Sequence, residues 1–377
     1  MIPLGFLLLL RRPRRLLPAI GGIVMAVAIM LVEASMLFGV LEAQARMAEL
    51  VRADFVVMNT LRLNLQDGSE LPMIRLAQVA ALPEVARVMP LYQSEVALRS
   101  RGDADRADAA RRPFRRIVVF SFSPEDDPLR IGDRAKIERS IKTPGSVAFD
   151  RDSRPVYGDI GIGSNVEFGN RHWQVSGLVE IGPDIINDGS IVMSSGNARM
   201  RDSAIMGAVR LRPGTDPEAA RQHILARLPP DISVLTPAEL RLREIGYTLR
   251  AVPIGILFGV GMVAGLFIGA VTCYQVLFNE IADNLKMYTT LRATGFSDGF
   301  LRRTIVEQAV LSSALGFVAG SVVALAICLY IARRSGFAVW LSPTYGAVVF
   351  IVTMAACAGA GLVAVRRVIA ADPADLF

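Results

Sequence analysis

The sequence predicts an α-helical membrane protein with four transmembrane helices and a large α+β domain between the first and the second. Three observations predict it. Hydrophobic residues make up 52% of the 377 residues and mean hydropathy is +0.42, which is high for a soluble domain. Four apolar stretches reach the ~20 residues that a bilayer crossing requires. Between the first two of them, residues 42–250 alternate strand and helix patterns punctuated by Pro and Gly. The same composition excludes a disordered chain, a collagen and a disulfide scaffold.

The elements follow in order. Residues 1–15 combine an apolar run, Ile2 to Leu10, with the basic residues Arg11, Arg12, Arg14 and Arg15, the pattern of a helix lying along a membrane face. The first span is Leu16 to Leu41. Its apolar run is too long for a secretory leader, which favours an uncleaved span. The second span, Val252 to Phe278, carries no charge; the third is Ile305 to Ala332 and the fourth Thr344 to Val365. Lys286, Arg292, Arg302 and Arg303 flank the corner at residues 279–304, and Arg366 and Arg367 open the tail at 366–377. With the N-terminal arginines they put both termini in the cytoplasm and the large insert outside it.

Within the insert, strands are expected at Phe55–Met58, Ile117–Phe122, Ala204–Leu211 and Asp231–Leu235, and strand-forming residues crowd Val85–Leu98. Met73–Leu82 reads as a helix stopped by Pro83. Val166–Val179 reads as a hairpin turning at Gly169-Asn170. Asp216 caps a helix that begins at Pro217, and Thr236 caps one that begins at Pro237 and leads toward the second span. Leu41–Arg52 and this last helix form two stalks. Arg99–Arg112 is charged and without period, an exposed loop. Strand–helix–strand units at both ends and strands between them describe an α/β lobe with an inserted β lobe. Asp150-Arg151-Asp152-Ser153-Arg154-Pro155 reads as a charged turn with internal Arg–carboxylate pairs, or as a partner surface.

No chemistry stands out. The patterns GxSxG, HExxH and GxxxxGK[ST] are absent, so this sequence holds no phosphate loop of its own and any ATP energy it uses is expected from a separate subunit. Cys273, Cys328 and Cys357 lie singly in apolar stretches, and His172 and His223 are far apart, so neither a disulfide framework nor a metal site is expected. The net charge of +6 includes 41 basic residues without an aromatic-interleaved basic face, so nucleic acid is not an expected partner.

Four small groups are candidate functional positions. In FNEIADNLKMYTTLRATGFSDGFLRR, Ile281, Leu285, Tyr288 and Leu291 recur at helical spacing, Gly295 stops the helix, and Ser297 or Asp298 can cap the next. Gly255 and Gly259 form one small-residue register and Gly261, Gly265 and Gly269 another, suited to close helix packing within one chain or across a dimer seam. Glu33 lies inside the first span and should face protein or water rather than lipid. Glu307 lies one turn after Arg303, at ion-pair spacing.

The openings IPLGFLLLLRRPRRLLPAIGGI, AFDRDSRPVYG, LRATGFSDGFL and the terminal ADPADLF, with the order of spans, resemble the MacB/FtsX-like superfamily of ABC permeases, and within it the DevC-type exporter permeases. The resemblance implies a bacterial inner-membrane homodimer with a periplasmic domain of a porter-like lobe and an inserted β-rich lobe. It implies no cofactor in this chain: ATP and Mg are bound by a separate cytoplasmic ABC ATPase. It further implies a periplasmic membrane-fusion protein, an outer-membrane TolC-like channel, and a lipid or other hydrophobic substrate taken at the lipid bilayer. The corner Tyr288, Leu291, Arg292, Gly295 and Phe296 matches the part that docks the ATPase. The alternative within the superfamily is an FtsX-like scaffold that activates a cell-wall hydrolase without transport.

Overall fold

In the computed structural model, the described residues are 13–100, 115–184, 186–197, 202–251, 253–283, 287, 290, 294–335 and 341–369. The expected surface helix at residues 2–10 and almost all of the loop at 99–112 lie outside them. The chain forms two compact units, one of apolar helices and one built from Val40–Val252.

Among the described residues, the helical unit has four helices long and apolar enough to cross a membrane. They are α1 (Pro13–Leu50), which from Val40 onward belongs to the second unit, α6 (Ile254–Asp283), α7 (Asp298–Ser335) and α8 (Pro343–Ile369). The expected tail at 366–377 therefore starts as helix, and residues 370–377 lie outside the described ones. Ile23, Val27, Met30 and Leu31 of α1 form the centre of this unit's core with Cys273, Ile305, Ala309 and Val349.

The second unit is organised by one long strand. Its elements after α1 are β1 (Phe55–Asn59), β2 (Leu71–Pro72), α2 (Met73–Ala80), β3 (Val85–Ser100), β4 (Arg115–Phe122), α3 (Arg134–Lys142), β5 (Ser146–Asp150), β6 (Asn165–Phe168), β7 (Arg171–Val179), β8 (Ser190–Ser194), β9 (Ser203–Ala204), β10 (Met206–Leu211), α4 (Pro217–Arg227), β11 (Ile232–Leu235) and α5 (Pro237–Ala251). The first half of β3 completes an antiparallel sheet in the order β11-β1-β10-β3. Its second half pairs with β4, and its last two residues pair with β6. The order β3-β4-β8-β5-β7-β6 thereby returns to β3 and closes a six-stranded barrel, which leaves no free edge.

Alternation along the strands sorts the cores. In the open sheet, Phe55, Val57 and Val209 face α2 and α4 through Leu76, Val79 and Ile224. Val56, Met58, Met89 and Leu91 face the opposite way, toward Ala48 of α1 and Leu240 of α5. Even-numbered positions of β3 that line the helix side of the sheet (Val88, Tyr92) continue as barrel interior (Val96, Leu98). There they meet Ile117, Val119, Phe149, Val175 and Ile191. Phe168 and Trp173 stack at 5.2 Å inside it, and the indole N–H donates to the Phe168 carbonyl at 3.3 Å.

Most local expectations are met by visible causes. The hairpin β6–β7 turns at Gly169 and Asn170, both at φ 58°, the pair of left-handed residues that a tight hairpin requires. Asp216 accepts from the amides of Glu218 and Ala219. Thr236 Oγ1 accepts from the Glu239 amide at 3.1 Å while Glu239 accepts from the Thr236 amide at 2.8 Å, a reciprocal capping box. Two parts of the second unit were not expected: α3, capped by Asp133, and the strands β5 and β8 that close the barrel.

Candidate functional site: stalk anchors and helix corner

The 40–50 part of α1 and the whole of α5 are bound to one another and to the second unit by charge. Arg241 of α5 pairs with Glu42 of α1 at 3.3 Å and also with Glu49, two carboxylates spaced seven residues apart on one face. Both pairs are largely exposed, so each is worth only about 0–1 kcal/mol. Their geometry nonetheless pins the two stalk helices side by side.

Beyond Leu50, main-chain bonds take over. Arg52 N–H donates to the Pro128 carbonyl at 2.7 Å and Arg130 N–H to the Leu50 carbonyl at 2.7 Å. Asp126 and Asp127, both buried, gather arginines from separate elements. Arg87 of β3 reaches Asp126 at 2.5 Å, while Arg52, Arg210 and Arg134 converge on Asp127. Burial holds the Asp126 carboxyl above its ordinary range against the pull of Arg87.

The string Asp150-Arg151-Asp152-Ser153-Arg154 links the first stalk to the barrel. Asp150 is fully buried, and its carboxylate accepts from the amides of Asp152 (3.2 Å), Ile181 (3.0 Å) and Gly182 (2.8 Å). Asp152 meets Arg46 of α1 at 3.4 Å. Gly182, at φ 87°, lies under that guanidinium; a Cβ there would come within 3.0 Å of Arg46 Nη1. Arg154 pairs with Asp188 at 2.5 Å and Arg151 with Glu180 at 2.7 Å. Within the string Arg151 meets Asp152 at 3.9 Å, while the other pairs named here reach outward to Arg46, Glu180 and Asp188.

A cavity of about 50 Å³ lies between the stalks and the barrel wall, lined by Gln44, Gln66, Gln93, Phe120, Asp184 and Glu244. Glu244 is 4% exposed, and its Oε1 accepts from the Leu65 amide at 2.9 Å. Burial raises its carboxyl to about 7, opposed by Arg243 and Arg62. Sequence reasoning missed this residue. The signal was present: Leu240, Glu244 and Thr248 form the buried stripe of α5 at i, i+4 and i+8.

In the helical unit, the glycines mark where helices touch. A Cβ on Gly265 would meet Met30 at 2.9 Å and one on Gly269 would meet Ala26 at 3.0 Å, both on α1 of the same chain. Gly316 and Gly320 of α7 abut Ile23 and Val27. Gly259 has nothing within 4 Å. Gly255 is half-buried. Gly261 makes room for the carboxyl of Glu33, whose Cδ lies 2.7 Å from the position its Cβ would take. Glu307 accepts from Arg303 at 3.0 Å.

At the corner, Gly295 has φ 95°, a conformation that a side chain strains against. Ser297 Oγ accepts from the Phe300 amide at 3.3 Å and opens α7. Phe296 is 45% exposed and packs against Phe300, with ring centroids 4.9 Å apart. Tyr288, Leu291 and Arg292 lie outside the described residues. Among the described residues there is no group of three or more His, Cys, Asp or Glu suited to a metal ion.

The family described as MacB-like periplasmic core domain matches residues 17–227, and that described as FtsX-like permease C-terminal matches residues 259–373. Among solved structures, the periplasmic region of MacB from Actinobacillus actinomycetemcomitans is similar over 51% of this chain and 92% of its own, at 10% identity and TM-score 0.37. The extracellular domain of the noncanonic ABC-type transporter YknZ from Gram-positive bacteria is similar over 49% of this chain and 99% of its own, at 7% identity and TM-score 0.31. No curated protein matches the chain. With the core match spanning more than half of its length, the chain belongs to the MacB-like family of ABC permease components, its periplasmic-type core followed by an FtsX-like permease domain.

Proposed function

We propose that the chain is the permease subunit of a tripartite, DevC-type ABC exporter. It acts as a homodimer in the inner membrane with both termini in the cytoplasm. A separate ATPase binds ATP and Mg and docks at the corner formed by Tyr288, Leu291, Arg292, Gly295 and Phe296. Its motion passes through α1 and α5 to the Val40–Val252 unit, which pushes a lipid or other hydrophobic substrate toward a membrane-fusion protein and a TolC-like duct.

The observation that carries this reading is the stalk clamp, Arg241 of α5 on Glu42 and Glu49 of α1. It joins the first and last helical stretches of the Val40–Val252 unit, and the sequence has no phosphate loop for hydrolysing ATP itself.

Solubilising native membranes in mild detergent tests the reading. The chain should bring down a phosphate-loop ATPase and a membrane-fusion protein. Replacing Leu291 and Phe296 by Asp should uncouple ATP use from export, and the external unit should stay folded. Recovery of a cell-wall hydrolase in place of the fusion protein would replace export by scaffolding, and export surviving the double change would remove the corner from the relay.

A further inference from the structure

We propose that Glu244 is a protonation-controlled latch that fastens α5 to the loop at residues 61–69, closed when the carboxyl is neutral and released when it ionises. The proposal deepens the reading of α5 as a force-bearing stalk, by naming what regulates its attachment.

The loop is held to α5 by three contacts from the adjacent residues Arg243 and Glu244. Arg243 donates to the carbonyls of Leu63 (3.3 Å) and Arg62, and Glu244 accepts from Leu65 N–H at 2.9 Å. Inside the loop, Arg62 is 2% exposed and donates to the carbonyls of Ser69 (2.9 Å) and Leu65 (3.0 Å). Asp67 accepts from the amides of Leu63 and Ser69. Gln66 also ties the loop to Gln44 of α1 (3.3 Å) and to Asp184 (3.2 Å), and Glu244 is the carboxyl group of α5 that it receives.

The charged groups around Glu244 are Arg243 on its own helix, Arg62 with its neighbours Asp67 and Glu70 on the loop, and Arg46 and Asp184 at the cavity. Among the described residues no cation lies at ion-pair distance from it. Arg62 and Arg243 spend their hydrogen bonds on carbonyls. A neutral carboxyl keeps the Leu65 bond and carries no buried charge; ionisation strengthens that bond, but by less than burial penalises the charge. An ionised one is a buried charge with one donor, and it gains most by carrying the loop open to water.

The sign follows from burial. Closed, the carboxyl titrates at about 7; opened to water, it returns to the ordinary carboxyl range near 4.3. Opening is therefore insensitive to pH below the ordinary range, rises about tenfold per pH unit between it and about 7, and levels off above.

Hydrogen exchange on the full chain in detergent, without any ATPase, tests this. After correction for intrinsic exchange, peptides covering 61–70 should lose roughly tenfold protection between pH 5.5 and 6.5. Glu244→Gln should flatten that slope while peptides from β6 and β7 stay flat in both. A wild-type slope that is absent, equally present in the barrel peptides, or unchanged by Glu244→Gln overturns the latch. If Glu244→Gln does not fold, the wild-type contrast between loop and barrel decides alone. Because no partner is present, failure here leaves the export reading standing, and loss of export with the slope intact would count against export only.

Discussion

The helical unit and the Val40–Val252 unit solve the same problem with opposite materials. Among the spans, close contacts are made by leaving side chains out: Gly265, Gly316 and Gly320 bring α6 and α7 against α1. Lipid gives apolar helices no hydrophobic reason to associate, so backbone proximity and dispersion must supply it. In the Val40–Val252 unit, water supplies the hydrophobic drive for sheet and barrel, and contacts between elements are specified by carboxylates that accept from main-chain amides, such as Asp150 from Ile181 and Gly182. The difference teaches that added bulk breaks the first unit, and a removed charge breaks the second.

The sharpest break is Gly320→Leu. A Cβ there already lies 2.8 Å from Val27 and 2.9 Å from the Val24 carbonyl oxygen, which cannot rotate away. Thermal unfolding in detergent should show a loss of about 3 kcal/mol or failure to fold. Gly259→Ala, with open space around it, should cost nothing and gain up to about 1 kcal/mol of helix propensity. Equal effects at both sites would mean that the glycines serve no packing role.

Next is Asp150→Ala, which strips the amides of Asp152, Ile181 and Gly182 of their acceptor. Urea unfolding, followed by Trp173 emission in a Trp340→Phe background, should show a loss of about 2–3 kcal/mol. A loss below about 0.5 kcal/mol would mean that water replaces the carboxylate.

The smallest effect belongs to Arg241→Ala. The exposed clamp should cost about 0.5–1 kcal/mol at low salt and almost nothing in 0.5 M salt. A double-mutant cycle with Glu49→Ala reads the coupling directly, and a salt-independent loss would assign the effect to packing of the arginine stem.

Much of this contrast was legible in the chain. The spans declare themselves by length, the β6–β7 hairpin by Gly169-Asn170, and the head of α5 by Thr236 and Pro237. Barrel closure was not legible. It rests on parallel pairs, β4 with β8 and β5 with β7, and on two residues of β3 meeting β6 more than sixty positions away. Local periodicity carries no record of such partners. The helix α3 was missed because its buried face is short, Ile137, Ser140 and Ile141. Glu244 was passed over because a carboxylate on a charged helix reads as solvated, although its stripe is that of Leu240. At the corner, Gly295 and Ser297 took the roles that their residue types suggest.

The shared strand β3 also constrains how such a chain can evolve. Sheet and barrel have no linker between them; they are two stretches of one ladder, 16 residues long. A single codon inserted or deleted near Leu91 would leave the upstream register intact and turn the downstream strand inside out, sending Val96 and Leu98 outward and their polar neighbours into the core. Length change at this seam is permitted in even steps only. Drift in the size of the barrel must then be absorbed at its other connections, and descendants of this sequence should vary there while holding the parity of β3 fixed.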